Sequence, residues 1–226
     1  MKKPIGRILS PSIVRIGGGV SNEVGTVLKE LGLENPLIVT DKNLIKIGHL
    51  SKLTAIMDKA RFAYSIFNEV VEDPTDLCLT WGLEKFKSAN FDSIIGFGGG
   101  SSMDLAKAIS AMSINQGHVR KYKAPAQVNH RGVPVILIPT TGGTGSELTS
   151  WCVITDTQMT EKYNLSGMAF LATAAIIDWE FTLTKPARLT ADTAIDSLTH
   201  AIEAYVGKKS SPYTDMFALA SIPLIT

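Results

Sequence analysis

Five short apolar runs punctuate the chain: PLIVTD (36–41), FAYSIF (62–67), DSIIGF (92–97), VPVILIP (133–139) and AAIID (174–178). Runs this continuous suit strands covered on both faces, as in parallel sheets. Between them, apolar residues recur near the helical period. Val24, Leu28 and Leu31 follow a Ser21 cap; Leu79, Leu83 and Phe86 follow EDPTD; Leu105, Ala108, Ile109 and Met112 follow a glycine run. Strand and helix in alternation predict an α/β fold with a doubly wound, Rossmann-like parallel sheet. Past LTKPARL (183–189) no further β-branched run appears. Ile195, Leu198, Ile202 and Tyr205 form one helical stripe, and Pro212 suits the first turn of another that carries Met216 and Leu219. The expected division is an α/β domain over residues 1–185 and the beginning of an all-helical domain over 186–226. The second part is too small to enclose a core of its own.

Two glycine runs compete for an anion-binding role. RIGGGVSNEVG (15–25) and GFGGGSSMDLAKAI (96–109) both lack the last glycine of a dinucleotide fingerprint. The second is the better candidate because it leaves an apolar strand and opens directly into an amphipathic helix. There Gly98, Gly99 and Gly100 allow close backbone approach, and Ser101 and Ser102 add hydroxyls to the positive end of the helix dipole. A bare strand-to-helix turn is the competing reading. IPTTGGTGSE (138–147) also leaves a strand, and Thr140, Thr141, Thr144 and Ser146 can donate to phosphate or ribose oxygens. Asp41 ends its strand where a carboxylate can accept from ribose hydroxyls and repel a 2′-phosphate; capping the helix KNLIKIG is the alternative role.

Charge narrows the partners. With 22 basic and 21 acidic residues, no one-sign surface is available for nucleic acid or an anionic membrane. No run approaches the length of a membrane helix, and the N-terminus is too interrupted for a signal peptide. Cys78 and Cys152 are far apart in apolar pattern and read as buried free thiols. A cytoplasmic location is the expectation.

Asp196 and His200, in TADTAIDSLTHAIEAYV (190–206), fall one turn apart on a helix, and Glu203 continues their stripe. Both could reach one ion, although such pairs are common on solvated helix faces.

The ordered segments LIVTD, GGGSSMDLAKAI, PVILIPTTGGTGSE and LTKPARLTADTAIDSLTHAIEAY together resemble the iron-containing (group III) alcohol dehydrogenase family, through nearly the whole chain. The resemblance implies a cofactor domain followed by a helical one, with metal and substrate between them. It implies NAD rather than NADP from Asp41, with the pyrophosphate on Gly99, Gly100, Ser101 and Ser102 and with Thr140, Thr141 and Thr144 nearby. Lys162 matches a lysine near the nicotinamide ribose. Asp196 and His200 match two ligands of a divalent metal, Fe2+ or Zn2+, whose other two ligands are histidines further downstream. His49, His118 and His130 match no ligand motif and read as surface or structural, so the chain resembles a truncated member. Asp73 stands where the family often has asparagine, and GMAFLATAAIID lacks the family's proline and acidic residue. The implied activity interconverts a primary alcohol or diol and its aldehyde. A zinc polyol dehydrogenase, a dehydroquinate-synthase-like enzyme and a non-catalytic NAD-binding fragment are the alternatives, with TTGGTGSE arguing against the first two. Exposed stripes over 190–222 predict poor solubility or self-association, and a homo-oligomer, of a state the sequence does not specify, is among the expected partners.

Overall fold

A computed structural model of the chain describes residues 7–225. Six parallel strands form one sheet in the order β1-β8-β5-β4-β2-β3: β1 (Ile13–Ile16), β2 (Pro36–Asp41), β3 (Ser65–Val70), β4 (Ser93–Gly98), β5 (Val135–Pro139) and β8 (Ala174–Ile177). Side chains alternate between two cores. Leu37, Val39, Ile94 and Leu137 point to one face, packed with α4 (Asp76–Lys87) and α5 (Gly100–Ile114). Ile38, Ile95, Phe97, Ile136 and Ile138 point to the other, with α1 (Val24–Glu30), α2 (Lys42–Lys46) and α3 (His49–Lys59). Both faces are buried, which is why these runs are uninterruptedly apolar.

Four of the five expected strands fall within two residues of their predicted positions. The third lies at Ser65–Val70 instead of 62–67, because pairing with Leu37, Ile38 and Val39 sets its register. Two features lie outside the expectation. The short β1 forms an edge, and β6 (Trp151–Asp156) pairs antiparallel with β7 (Glu161–Ser166) in a separate hairpin lying across α5. Ser21 is not a helix cap. It sits inside a 3-10 turn, and its amide donates to Asp178 Oδ2 at 3.1 Å.

After a 3-10 turn (Trp179–Thr182), the chain enters α6 (Ala187–Val206) and α7 (Pro212–Ile225), with Pro212 in the first turn as expected. These helices pack chiefly on each other; among the described residues Ala201 and Ala218 are their only buried ones, and Ile195, Met216 and Phe217 stay exposed. Among the described residues no helix is long and apolar enough to cross a membrane.

Sheet order locates the crevice. From β2 the chain steps outward to β3, whereas β4 leads the opposite way through β5 to β8. The switch point therefore lies between the C-terminal ends of β2 and β4, where loops part and a ligand can enter.

Candidate active-site cleft

Asp41 ends β2 and Gly98 ends β4, one on each side of this switch point. Gly98 is buried with φ +150°, and a Cβ there would lie 2.5 Å from Ser102 Oγ, so only glycine lets the strand turn into α5. The helix then starts at Gly100 without a side-chain cap, leaving its first amides and the positive end of its dipole open. A Cβ on Gly100 would come within 2.9 Å of Thr144 Cγ2, so the glycine preserves a narrow gap between the two loops.

The threonine loop is held beside it by Thr140, whose amide donates to Gly98 O at 3.0 Å. Ser146 is not available to a ligand: its hydroxyl donates to Asp104 Oδ1 at 2.6 Å. Asp104 also accepts from the Val153 amide, and the fully buried Lys107 donates to Trp151 O at 2.7 Å. These two α5 residues bolt the threonine loop and hairpin to the helix that carries the glycine loop. Lys107 inside the apolar stripe of 105–112, with Asp104 just before it, was the available sequence signal.

Two connected hollows share Ser101. One, about 520 Å³, is bordered by Asp41, Gly99, Ser102, Thr140 and Thr141. The other, about 1380 Å³, is bordered by Gly100, Thr144, Lys162, Asp196 and His200. Of the residues singled out in these two loops, all but Gly98 border one of the hollows, although Ser102, Thr140 and Ser146 are themselves buried. Asp41 Oδ1 accepts from the Asn43 and Leu44 amides at 2.8 and 3.0 Å, so the capping role is real; its Oδ2 has no hydrogen bond among the described residues. Lys162 donates to Asp73 Oδ1 at 2.7 Å across the cleft rim, so the extra negative charge at position 73 is matched by a cation.

Asp196 Oδ1 and His200 Nε2 stand 3.7 Å apart on one face of α6, both partly exposed to the larger hollow. Gly143 comes so close that a Cβ there would lie 3.3 Å from Asp196 Oδ2, which brings the threonine loop against this pair. A carboxylate oxygen and an imidazole nitrogen form a donor set suited to Fe2+ or Zn2+ with open positions left over. Among the described residues no third carboxylate, imidazole or thiol joins them. The one cluster of three such groups is Asp76, His118 and Asp156, away from the cleft. There Arg120 already supplies the cation, at 2.8 Å from Asp156. Burial pushes the Asp156 carboxyl up, but the Met159 amide and Arg120 outweigh it and hold it well below the usual carboxylate range.

The other glycine run holds an internal anion. Asp178 accepts from the amides of Gly19, Ser21 and Glu180 at 3.0–3.1 Å, filling the loop at 17–21 with the protein's own carboxylate.

A doubly wound sheet with uncapped, glycine-rich loops at its switch point defines a nucleotide-type α/β architecture. The family model of iron-containing alcohol dehydrogenase matches residues 11–179, and the C-terminal model of the Fe-containing alcohol dehydrogenase family matches residues 190–226. The chain is 42% identical over 210 residues to the NAD-dependent methanol dehydrogenase of Bacillus methanolicus, covering 93% of this chain and 55% of that protein. Its fold matches 1,3-propanediol oxidoreductase with a TM-score of 0.94 at 34% identity, over 98% of this chain and 58% of that one. It matches the sulfoacetaldehyde reductase of Bifidobacterium kashiwanohense, solved in complex with NAD+, with a TM-score of 0.91 at 26% identity, over 98% and 59% of the two chains. The chain belongs to the iron-containing alcohol dehydrogenase family. It spans somewhat more than half the length of these relatives.

Proposed function

We propose that residues 1–185 bind NAD and that residues 186–226 begin a helical metal and substrate domain, in a protein that interconverts a primary alcohol or diol and its aldehyde. One observation carries this reading: the uncapped start of α5, Thr144 and the Asp196–His200 pair all open onto a single hollow. The α5 amides and the Ser101 and Ser102 hydroxyls neutralise a pyrophosphate. Asp41 Oδ2 accepts from a ribose hydroxyl while Oδ1 continues to cap α2, and its charge disfavours a 2′-phosphate. Thr140, Thr141 and Thr144 border the dinucleotide, and Lys162 reaches the second ribose from the rim.

NAD held by the two loops would supply hydride transfer, and a divalent ion held by Asp196 and His200 would supply Lewis acidity toward the substrate oxygen. The protein contributes orientation: the Asp104–Lys107 network fixes the threonine loop, and that loop abuts Asp196 through Gly143. Alcohol and aldehyde are the substrate class; the near-neutral charge supports no nucleic-acid partner, and the exposed faces of α6 and α7 support a homo-oligomer in the cytoplasm.

The absence of a third donor beside Asp196 and His200 among the described residues favours one further reading for these 226 residues alone, nucleotide binding without turnover. Calorimetric titration with NAD and with Fe2+, alongside alcohol-dependent NADH absorbance, separates the two. Tight metal binding with turnover supports the enzyme; NAD binding without either supports the nucleotide-only reading; no NAD binding overturns both.

A further inference from the structure

His49 opens α3 and is 2% exposed, yet it faces the smaller hollow. Its Nε2 shares a 2.6 Å hydrogen bond with Thr184 Oγ1, a contact between residues 135 positions apart. Thr184 lies in the short connection leading to α6, and Thr184, Lys185, Pro186 and Leu189 form one wall of that hollow. The ring also packs perpendicular to Phe181, centroids 5.3 Å apart, and Phe181 packs against Phe97 at 5.0 Å. Phe97 immediately precedes the Gly98 turn. One imidazole thus joins the α6 connection to the strand that carries the glycine loop.

The same ring holds a polar atom that nothing satisfies: Nδ1 is buried without a hydrogen-bond partner. Leaving such an atom buried and unpaired opposes folding. A residue that only filled space would be better served by an apolar side chain. We propose that His49 is a positioning residue that clamps the α6 connection at Thr184, shaping the hollow for the adenosine end of a dinucleotide and releasing it in acid. The ligand named here rests on the proposed NAD-binding reading.

Burial first, and Lys52 on the same helix second, lower the His49 pKa. Among the described residues no carboxylate bonds to or pairs with the ring, including Glu180 on the 3-10 turn that carries Phe181. Lys185 lies on the connection; Lys42 and Glu72 border the same hollow with Asp41, whose Oδ1 is committed to α2; and Glu23 and Glu30, on the elements packed against α3, pair with Arg15. The neutral ring is therefore the form that fits. Because the folded pKa is depressed, the clamp is intact above the ordinary imidazole value, weakens below it and is lost as pH falls through the lower folded value.

The test is ADP-ribose binding at neutral and mildly acidic pH for the wild-type chain, His49→Gln and His49→Val. Glutamine keeps a hydrogen-bonding group for Thr184 without titrating in this range. Expected at neutral pH are glutamine within about twofold of wild type and valine weaker by about 5–10-fold. As pH falls below the ordinary imidazole value wild type weakens progressively while His49→Gln holds. Identical pH profiles for wild type and glutamine overturn the proposal. Should wild type not bind ADP-ribose at all, the NAD reading fails separately, and amide exchange over residues 183–190 decides the clamp: faster exchange in His49→Val or Thr184→Val supports it, and unchanged exchange in both overturns it.

Discussion

The Lys162 ammonium lies 2.7 Å from the Asp73 carboxylate, joining the loop before α4 to strand β7 across the rim of the larger hollow. Both side chains are more than half exposed, so the pair adds at most about 1 kcal/mol to stability. Its influence falls on the ligand, because a dinucleotide approaching Lys162 must compete with Asp73. Asp73→Asn is expected to leave the thermal midpoint nearly unchanged and to tighten NAD by about 2–5-fold, an effect that shrinks in high salt. Calorimetry at two ionic strengths checks it; unchanged affinity would remove Lys162 from the nucleotide site.

Gly100→Ala and Gly98→Ala separate site from scaffold. At Gly100 the new methyl meets the end of a threonine side chain at 2.9 Å, closing the gap between the loops. NAD affinity should drop by about tenfold or more while stability falls by less than about 1 kcal/mol. At Gly98 the backbone is at φ +150° and the contact with Ser102 Oγ is 2.5 Å, so the loss should appear in the urea midpoint itself. Equal destabilisation by both would count against a ligand-shaped gap.

Lys107→Met removes a fully buried ammonium that donates to Trp151 O. The carbonyl loses its partner and Asp104 loses a neighbouring cation, so destabilisation of about 3–5 kcal/mol is expected by denaturant titration. Lys107→Met with Asp104→Asn should recover part of it if the two act as one network.

Much of the sheet was legible because strands buried on both faces have little choice of residue: β2, β4, β5 and β8 each carry a continuous apolar run. Strand β1 was not, since a four-residue edge strand with partly exposed side chains resembles a loop. In the β6–β7 hairpin, burial alternates with exposure from Trp151 to Asp156, a weaker signal than a continuous run. The candidate site was legible as a set of neighbours where local sequence makes it, as in the glycine and threonine loops and the Asp196–His200 spacing. Contacts between distant residues were not: Asp178 with Gly19, Lys107 with Trp151, and His49 with Thr184 depend on the finished topology. Asp178 shows the difference well, because its glycine loop matches an anion cradle and the anion comes from 159 residues away.

That internal anion makes an acid-stability prediction. Burial pushes the Asp178 carboxyl up, but bonds from Ser21, Glu180 and Gly19 outweigh it and lower its pKa. A depressed folded pKa contributes stability above the unfolded carboxylate value, lost as pH falls through the folded one. Asp178→Asn should therefore destabilise the chain at neutral pH, by about 1–3 kcal/mol, and flatten the fall in stability below about pH 4. A pH series of urea midpoints measures both, and parallel curves for the two proteins would exclude Asp178 as the titrating group.

Asp41 has two roles that substitution can divide. Its Oδ1 caps α2, whereas the proposed ribose contact belongs to Oδ2 and to the charge. Asparagine is as good a cap as aspartate but carries no charge, and alanine supplies neither function. Asp41→Asn should keep full stability while shifting the NAD/NADP affinity ratio toward NADP by about tenfold, the loss of one charge repulsion at short range. Asp41→Ala should show the same shift together with about 1 kcal/mol of destabilisation. Paired affinity and stability measurements on both variants give the answer: a stable asparagine variant with an unchanged ratio would leave Asp41 as a cap alone, and the NAD preference would have to come from elsewhere in the smaller hollow.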